Sequence, residues 1–338
     1  MQRQWLLCVL SVCVMILGGS LGWAQDVRII PLGGQEGEFC VGDRALLFED
    51  PTGVRILTDP GRTVRGSADP RIAPLGSVHV VLVSHAHTDI IGNVYDNNCA
   101  QSSTSPLLFP TEGNATEIAA RQNSAVLVGG EPVAPFYTQK ILNINGTAPA
   151  VCPADGLDNV LTVPRTSPCI GGIVGGTRTA SIGGQPGVKI TTIPAVHGAG
   201  VARAMVDPPN VPLGLTGSGG EANGYILRFT NGLTVLWTGD SSLIGDWEVQ
   251  SRMYHPNLAV VHMGDIGTMG PDEAAFAVLN LIKPRTVIPE HANQVSTSGG
   301  KVNSGTRVER FIRQAAPTKV IVPLSGVRII CDGQGNCK

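Results

Sequence analysis

The chain has 338 residues, 42% of them hydrophobic and 15% charged, which is ample material for a buried core and too little charge for a disordered tail. Lys and Arg number 24 against 26 Asp and Glu, so the net charge of −2 offers no basic surface to a nucleic-acid backbone or an anionic bilayer. Nucleic acid is excluded as an expected partner, and the length fits one large domain or two small ones.

Residues 1–24 carry Arg3, then the apolar run Trp5 to Leu17, then small residues ending at Gly22, Trp23 and Ala24. That order describes a secretory signal peptide cleaved after Ala24. The run is shorter than the roughly 20 residues of a spanning helix, and Gly18, Gly19 and Gly22 interrupt its end, so no stable membrane anchor is expected. The expected product is residues 25–338, a single domain exported to a periplasmic or extracellular space. Cysteine usage agrees with export: Cys40, Cys99, Cys152, Cys169, Cys331 and Cys337 form an even set that reads as disulfides. Their pairing stays open, although Cys152 with Cys169 and Cys331 with Cys337 are the closest pairs in the chain.

Short apolar runs bounded by Gly, Pro, Asn or Asp predict strands at 54–58 and 78–84. Residues 96–187 break up into Gly, Pro, Ser, Thr and Asn, which predicts a Gly/Pro-rich insertion with short elements of its own, pinned by a disulfide, and one helix near 115–122. A strand at 188–194 leads to His197 and a Gly/Pro-rich segment, 198–223, placed like an active-site loop. The runs 224–230 and 233–238 flank Asn231-Gly232, a strong hairpin signal. Strands follow at 258–263 and 285–288. Pro271, with Asp272 and Glu273 after it and Lys283 at the far end, marks a helix, and a further helix is expected over 306–315.

The chemistry starts at the end of the strand 78–84, where His85-Ala86-His87-Thr88-Asp89 follows. Two histidines one residue apart on a turn past a strand point their rings into one space, and an Asp two positions on adds an oxygen ligand. His197, Asp240 and His291 each follow an apolar run as well. In a layered α/β protein the carboxyl ends of strands meet at one rim, where metals and ligands collect. Taken singly, each has a plainer reading: a lone His is more often a hydrogen-bonded structural residue, and Thr-Gly-Asp is more often a turn. The agreement of four segments favours a metal site. His79, His255 and His262 are read as structural.

In this order the residues resemble the metallo-β-lactamase superfamily, closest to the branch of ascorbate-phosphate-lactonase-like metal-dependent hydrolases. The resemblance is carried by Ile56 to Pro60, by Ser84 to Gly92, and by Gly267 to Ala275 followed by Ile288-Pro289-Glu290-His291. It implies an α/β (α+β) four-layered αβ/βα sandwich with metals at one edge. It also implies that His85, His87 and His197 bind a first metal, that Asp89 and His291 bind a second, and that Asp240 bridges them. Two positions depart from the branch: Ile90 stands where a further His is usual, and Ala292-Asn293-Gln294 stands where Tyr-Gly-Thr is usual. One or two metals therefore remain open.

The expected activity is that of a secreted metal-dependent hydrolase acting on a small-molecule substrate. Zn²⁺ suits imidazole and carboxylate ligands, with Mn²⁺, Fe²⁺ and Ni²⁺ also open, and it lowers the pKa of bound water to about 7. The resulting metal-bound hydroxide would cleave an ester, lactone, phosphoester or amide bond, with Asp89 and Asp240 as catalytic carboxylates. The alternative is a non-catalytic secreted metal-binding module of the same fold. A serine hydrolase is excluded because no Gly-x-Ser-x-Gly elbow follows a strand. Oligomeric state is not legible.

Overall fold

The computed structural model describes residues 26–32, 45–61, 64, 75–87, 90, 114–128, 134–172, 174–198, 200–201, 217–218 and 220–338. The expected signal peptide, Cys40, Cys99, Asp89 and most of the 198–223 loop lie outside the described residues.

Two eight-stranded sheets face each other. The first contains β1 (Val27–Pro31), β2 (Leu46–Glu49), β3 (Arg55–Thr58), β4 (Val80–Val83), β5 (Ala125–Val128), β6 (Ala150–Val151), β8 (Cys169–Gly171) and β20 (Ile329–Cys331). The second contains β7 (Val160–Val163), β9 (Thr177–Ile182), β10 (Val188–Pro194), β13 (Asn223–Arg228), β14 (Thr234–Trp237), β15 (Leu258–His262), β16 (Thr286–Glu290) and β19 (Lys319–Val320). Two small ribbons pair β11 (Gly200–Val201) with β12 (Gly217–Ser218), and β17 (Thr297–Ser298) with β18 (Lys301–Val302). The spatial orders are β20-β1-β2-β3-β4-β5-β8-β6 and β19-β16-β15-β14-β13-β10-β9-β7.

Helices cover the outer faces: α1 (Asn114–Gln122) and α2 (Ala134–Asn145) on the first sheet, and α3 (Asp246–Tyr254), α4 (Pro271–Phe276) and α5 (Arg307–Gln314) on the second. The result is the expected four-layered αβ/βα sandwich. It explains why central strands are apolar throughout rather than alternating. In β4, Val80 and Leu82 enter the core between the sheets, whereas Val81 and Val83 pack under α1 and α2. On the other side, Val235 and Trp237 face the first sheet while Leu236 packs towards the helices.

Local signals acted as the sequence predicts at several places. The hairpin forms, with β13 antiparallel to β14 and Gly232 at φ +99° in its turn. Pro271 opens α4 at its first turn, but the helix then widens into a π-helical turn, Ala277–Ile282, closed by Lys283 in the left-handed region. Thr306 caps α5 by accepting from the Glu309 N–H at 3.2 Å. Both close cysteine pairs form disulfides, Cys152–Cys169 and Cys331–Cys337.

Over its described part the segment 96–187 has short elements and a disulfide as expected, and its strands join the main sheets: β5, β6 and β8 extend the first, and β7 and β9 extend the second. Its strands run from two to six residues between glycines and prolines, too short for periodicity to reveal them.

Candidate metal centre

The strand directions bring the predicted residues together. β10 and β13 are antiparallel, as are β13 and β14, and β14, β15 and β16 run parallel, so β10, β14, β15 and β16 end at one rim. His197, Asp240, His262 and His291 lie at or just past those ends. From the first sheet, β4 delivers His85 and His87 to the same rim.

The two sheets are pinned at this point. Asn223 donates its N–H to the Ser84 carbonyl at 2.9 Å and its side-chain amide to the Val83 carbonyl at 3.2 Å. The buried Tyr225 hydroxyl lies 3.0 Å from the Val83 carbonyl oxygen and 2.8 Å from that of Leu127, its single proton shared between them. Gly239, at φ +57°, permits this approach, because a Cβ there would lie 2.4 Å from the Asn223 carbonyl oxygen.

Three imidazoles, those of His85, His87 and His197, then converge, with one nitrogen from each within 4.8 Å of the others. His197 Nε2 lies 3.3 Å from His87 Nδ1. His197 Nδ1 donates to the Gly267 carbonyl at 2.6 Å, which leaves the Nε2 lone pair facing the cluster. His85 is oriented in the same manner: its Nδ1 lies 2.9 Å from Ser84 Oγ, and Ser84 Oγ donates to Asp59 Oδ2 at 2.7 Å. Asp59 is fully buried at the end of β3, and burial pushes its carboxyl well above the usual range despite the hydrogen bonds from Ser84.

Asp240 stands beside the cluster. Its Oδ2 lies 3.7 Å from His85 Nε2, 3.8 Å from His197 Nε2 and 3.2 Å from His291 Nε2, between the three-histidine cluster and His291. Burial acts to raise its pKa, but the charges and hydrogen bonds of His291 and His262 outweigh that and hold it well below the usual carboxylate range. His291 itself has φ +50°, an uncommon backbone for a non-glycine residue. Gly264 makes room for it, because a Cβ there would come 2.8 Å from His291 Nδ1.

His262, read as structural, is a fully buried ring at the same rim, with Nδ1 2.6 Å from Asp240 Oδ1 and Nε2 3.2 Å from Glu290 Oε2. Burial lowers its pKa, yet the two carboxylates more than offset this and hold it at about 9. His262 lies inside the apolar run 258–263, whereas His85, Asp240 and His291 follow theirs, which is why its placement does not single it out. Asp59, Ser84 and Glu290 lie in the segments that carry the family resemblance, but the sequence assigns them no individual role. His79 and His255 lie apart: His79 Nδ1 accepts from the Arg55 N–H at 3.0 Å, and His255 caps the C-terminus of α3. Ile90, where a further ligand is usual, is buried with the apolar residues on the helix side of the first sheet.

The donor set suits a divalent ion. Three converging imidazoles, two of them (His85 and His197) with their outer nitrogens engaged, next to an ionised carboxylate, match the chemistry of a zinc-type site and its outer hydrogen bonds. A sequence-family model described as a beta-lactamase superfamily domain matches residues 54–292, more than half of the chain. The chain belongs to the metallo-β-lactamase superfamily.

Other superfamily members are similar along most of their length. A metal-dependent hydrolase of Cupriavidus necator is 28% identical over 302 residues, covering 88% of this chain and 87% of its own. One of Thermodesulfovibrio yellowstonii is 26% identical over 292 residues, covering 85% of this chain and 88% of its own. Among solved structures, the metallo hydrolase Igni18 of Ignicoccus hospitalis has the same fold, with TM-score 0.56, 20% identity, and coverage of 90% of this chain and 99% of that one. The diiron β-hydroxylase CmlA of Streptomyces venezuelae also shares it, with TM-score 0.51, 12% identity, and coverage of 91% of this chain and 54% of that one. The chain is a metal-dependent hydrolase of this superfamily.

Proposed function

We propose that the chain is an exported hydrolase of small molecules that works with one or two zinc ions. His85, His87 and His197 hold the first ion, Asp240 reaches it, and His291 with Asp240 and Asp89 forms the second position. The observation that carries this reading is the convergence of three imidazole nitrogens within 4.8 Å at a rim built from both sheets. Mn²⁺, Fe²⁺ and Ni²⁺ are alternatives for the same ligands.

Bound there, zinc supplies a hydroxide nucleophile at neutral pH and polarises the scissile bond of an ester, lactone, phosphoester or amide. The protein's part is orientation. The Gly267 carbonyl and Ser84 Oγ fix the rings of His197 and His85, so their Nε2 atoms face inward before any ligand arrives. Asp240 contributes negative charge close to the imidazoles, and Asp89 is assigned the task of orienting the nucleophile or completing the second position.

Export is supported by the character of residues 1–24 and by the disulfides Cys152–Cys169 and Cys331–Cys337. Among the described residues no helix is long and apolar enough to cross a membrane. The test is turnover of a panel of chromogenic esters, lactones, phosphodiesters and amides, with and without chelator. Chelator-sensitive turnover that His87→Ala abolishes is the expected result. Metal binding without turnover of any member would instead favour the non-catalytic binding module.

A further inference from the structure

We propose that Glu290 and His262 act as a positioning relay for Asp240, deciding which of its carboxylate oxygens faces the three-histidine cluster. The proposal rests on the reading of that cluster as a metal centre.

The relay follows from the order of three neighbouring parallel strands. β14 leads to Asp240, β15 ends in His262 and β16 ends in Glu290, with His262 and Glu290 in direct register. His262 Nδ1 lies 2.6 Å from Asp240 Oδ1, and His262 Nε2 lies 3.2 Å from Glu290 Oε2. Each ring nitrogen of His262 thus faces one carboxyl oxygen, that of Asp240 on one side and that of Glu290 on the other. Trp237 Nε1 donates to the same Glu290 oxygen at 3.4 Å, and the His262 backbone N–H donates to Thr238 Oγ1 at 3.2 Å. The ring is thus held at both nitrogens, and the residue at its backbone N–H. With Oδ1 engaged by His262, Oδ2 is the Asp240 atom left facing His85, His197 and His291.

His262, Glu290 and Asp240 are no more than 2% exposed. Burying two carboxyl groups and an imidazole in one chain incurs a desolvation cost that apolar side chains of similar volume avoid, so stability alone does not account for it. His262 acts through Asp240, which makes it a positioning residue rather than a catalytic one.

The experiment compares the purified chain with the double variant His262→Leu/Glu290→Leu and the single variant Glu290→Gln, each stripped of metal and titrated with Co²⁺. Chelator competition gives affinity, visible absorption reports the ligand geometry, and thermal unfolding reports the fold. The double variant, which leaves Asp240 Oδ1 without its buried partner, is expected to fold with a lower melting temperature, to bind Co²⁺ about 10- to 100-fold more weakly, and to show altered absorption bands. Glu290→Gln, which keeps the side-chain shape if the double variant does not fold, is expected to show a smaller loss in the same direction. Parent-like affinity and bands in the folded variants would overturn the relay and leave the metal centre standing. Failure of the parent chain itself to bind Co²⁺ would overturn the metal centre and the relay together.

Discussion

Asp59 grips Ser84 twice, accepting its N–H at 2.8 Å and its hydroxyl at 2.7 Å, although the two residues lie 25 positions apart. The parallel pairing of β3 with β4 sets the two strand ends side by side and makes the grip possible. Ser84 passes this fixation to His85. Ser84→Ala is therefore expected to weaken metal binding about 10- to 100-fold while leaving the fold intact. Chelator competition on the folded variant checks it, and parent-like affinity would remove Ser84 from the orientation of His85.

Metal stoichiometry should respond differently to His87→Ala and His291→Ala. If elemental analysis of the parent chain gives two ions, His291→Ala is expected to retain one, and His87→Ala to lose the one in the three-histidine cluster. One ion in the parent, unaffected by His291→Ala, would restrict the site to the cluster of His85, His87 and His197.

Gly264 lies where a side chain would press on His291. Its added Cβ would sit 2.4 Å from Asn293 Nδ2 and 2.8 Å from His291 Nδ1. Gly264→Ala is expected to cost about 1–3 kcal/mol of stability and to lower metal occupancy, because the strained His291 backbone leaves little room to retreat. Urea unfolding and metal analysis of the same sample test both effects.

His79 gives a pH dependence independent of the metal. Burial, aided by the Arg55 charge, holds its pKa below the usual histidine value, and its Nδ1 accepts from the Arg55 N–H. The folded state thus prefers neutral His79, so its contribution is complete above the unfolded pKa of about 6.5 and is lost as pH falls below that value towards the folded one. Stability should decline from pH 7 to pH 5, and His79→Asn, which keeps an acceptor, should flatten the decline. An identical slope in the variant would show that other groups dominate.

Much of the candidate site was legible because the residues that converge there directly follow apolar runs. His85 and His87 stand just past β4, Asp240 past β14 and His291 past β16. The supporting residues were not, because their meaning is non-local. Glu290 looks out of place in Thr286–Glu290 until His262, 28 positions earlier, is found opposite it. His262 in turn looks like a core histidine until Asp240 is placed against its other nitrogen. The strands of 114–187 escaped for a different reason: two to six residues carry too little pattern, and only their neighbours in the two sheets define them.

The segment from Gly264 to Gly270 touches the site at two separate points. Its Gly267 carbonyl engages His197, and its Gly264 backbone bounds His291. It is further tied down by Met269 donating to the Ser241 carbonyl at 3.0 Å and by Gly264 donating to Thr268 Oγ1 at 2.7 Å. One short loop thus braces imidazoles belonging to both halves of the centre, and a change of sequence there perturbs both at once. Variation that tunes substrate choice without loss of metal has to be accommodated in other loops, so this loop is a poor target for engineering selectivity and a sensitive one for abolishing activity.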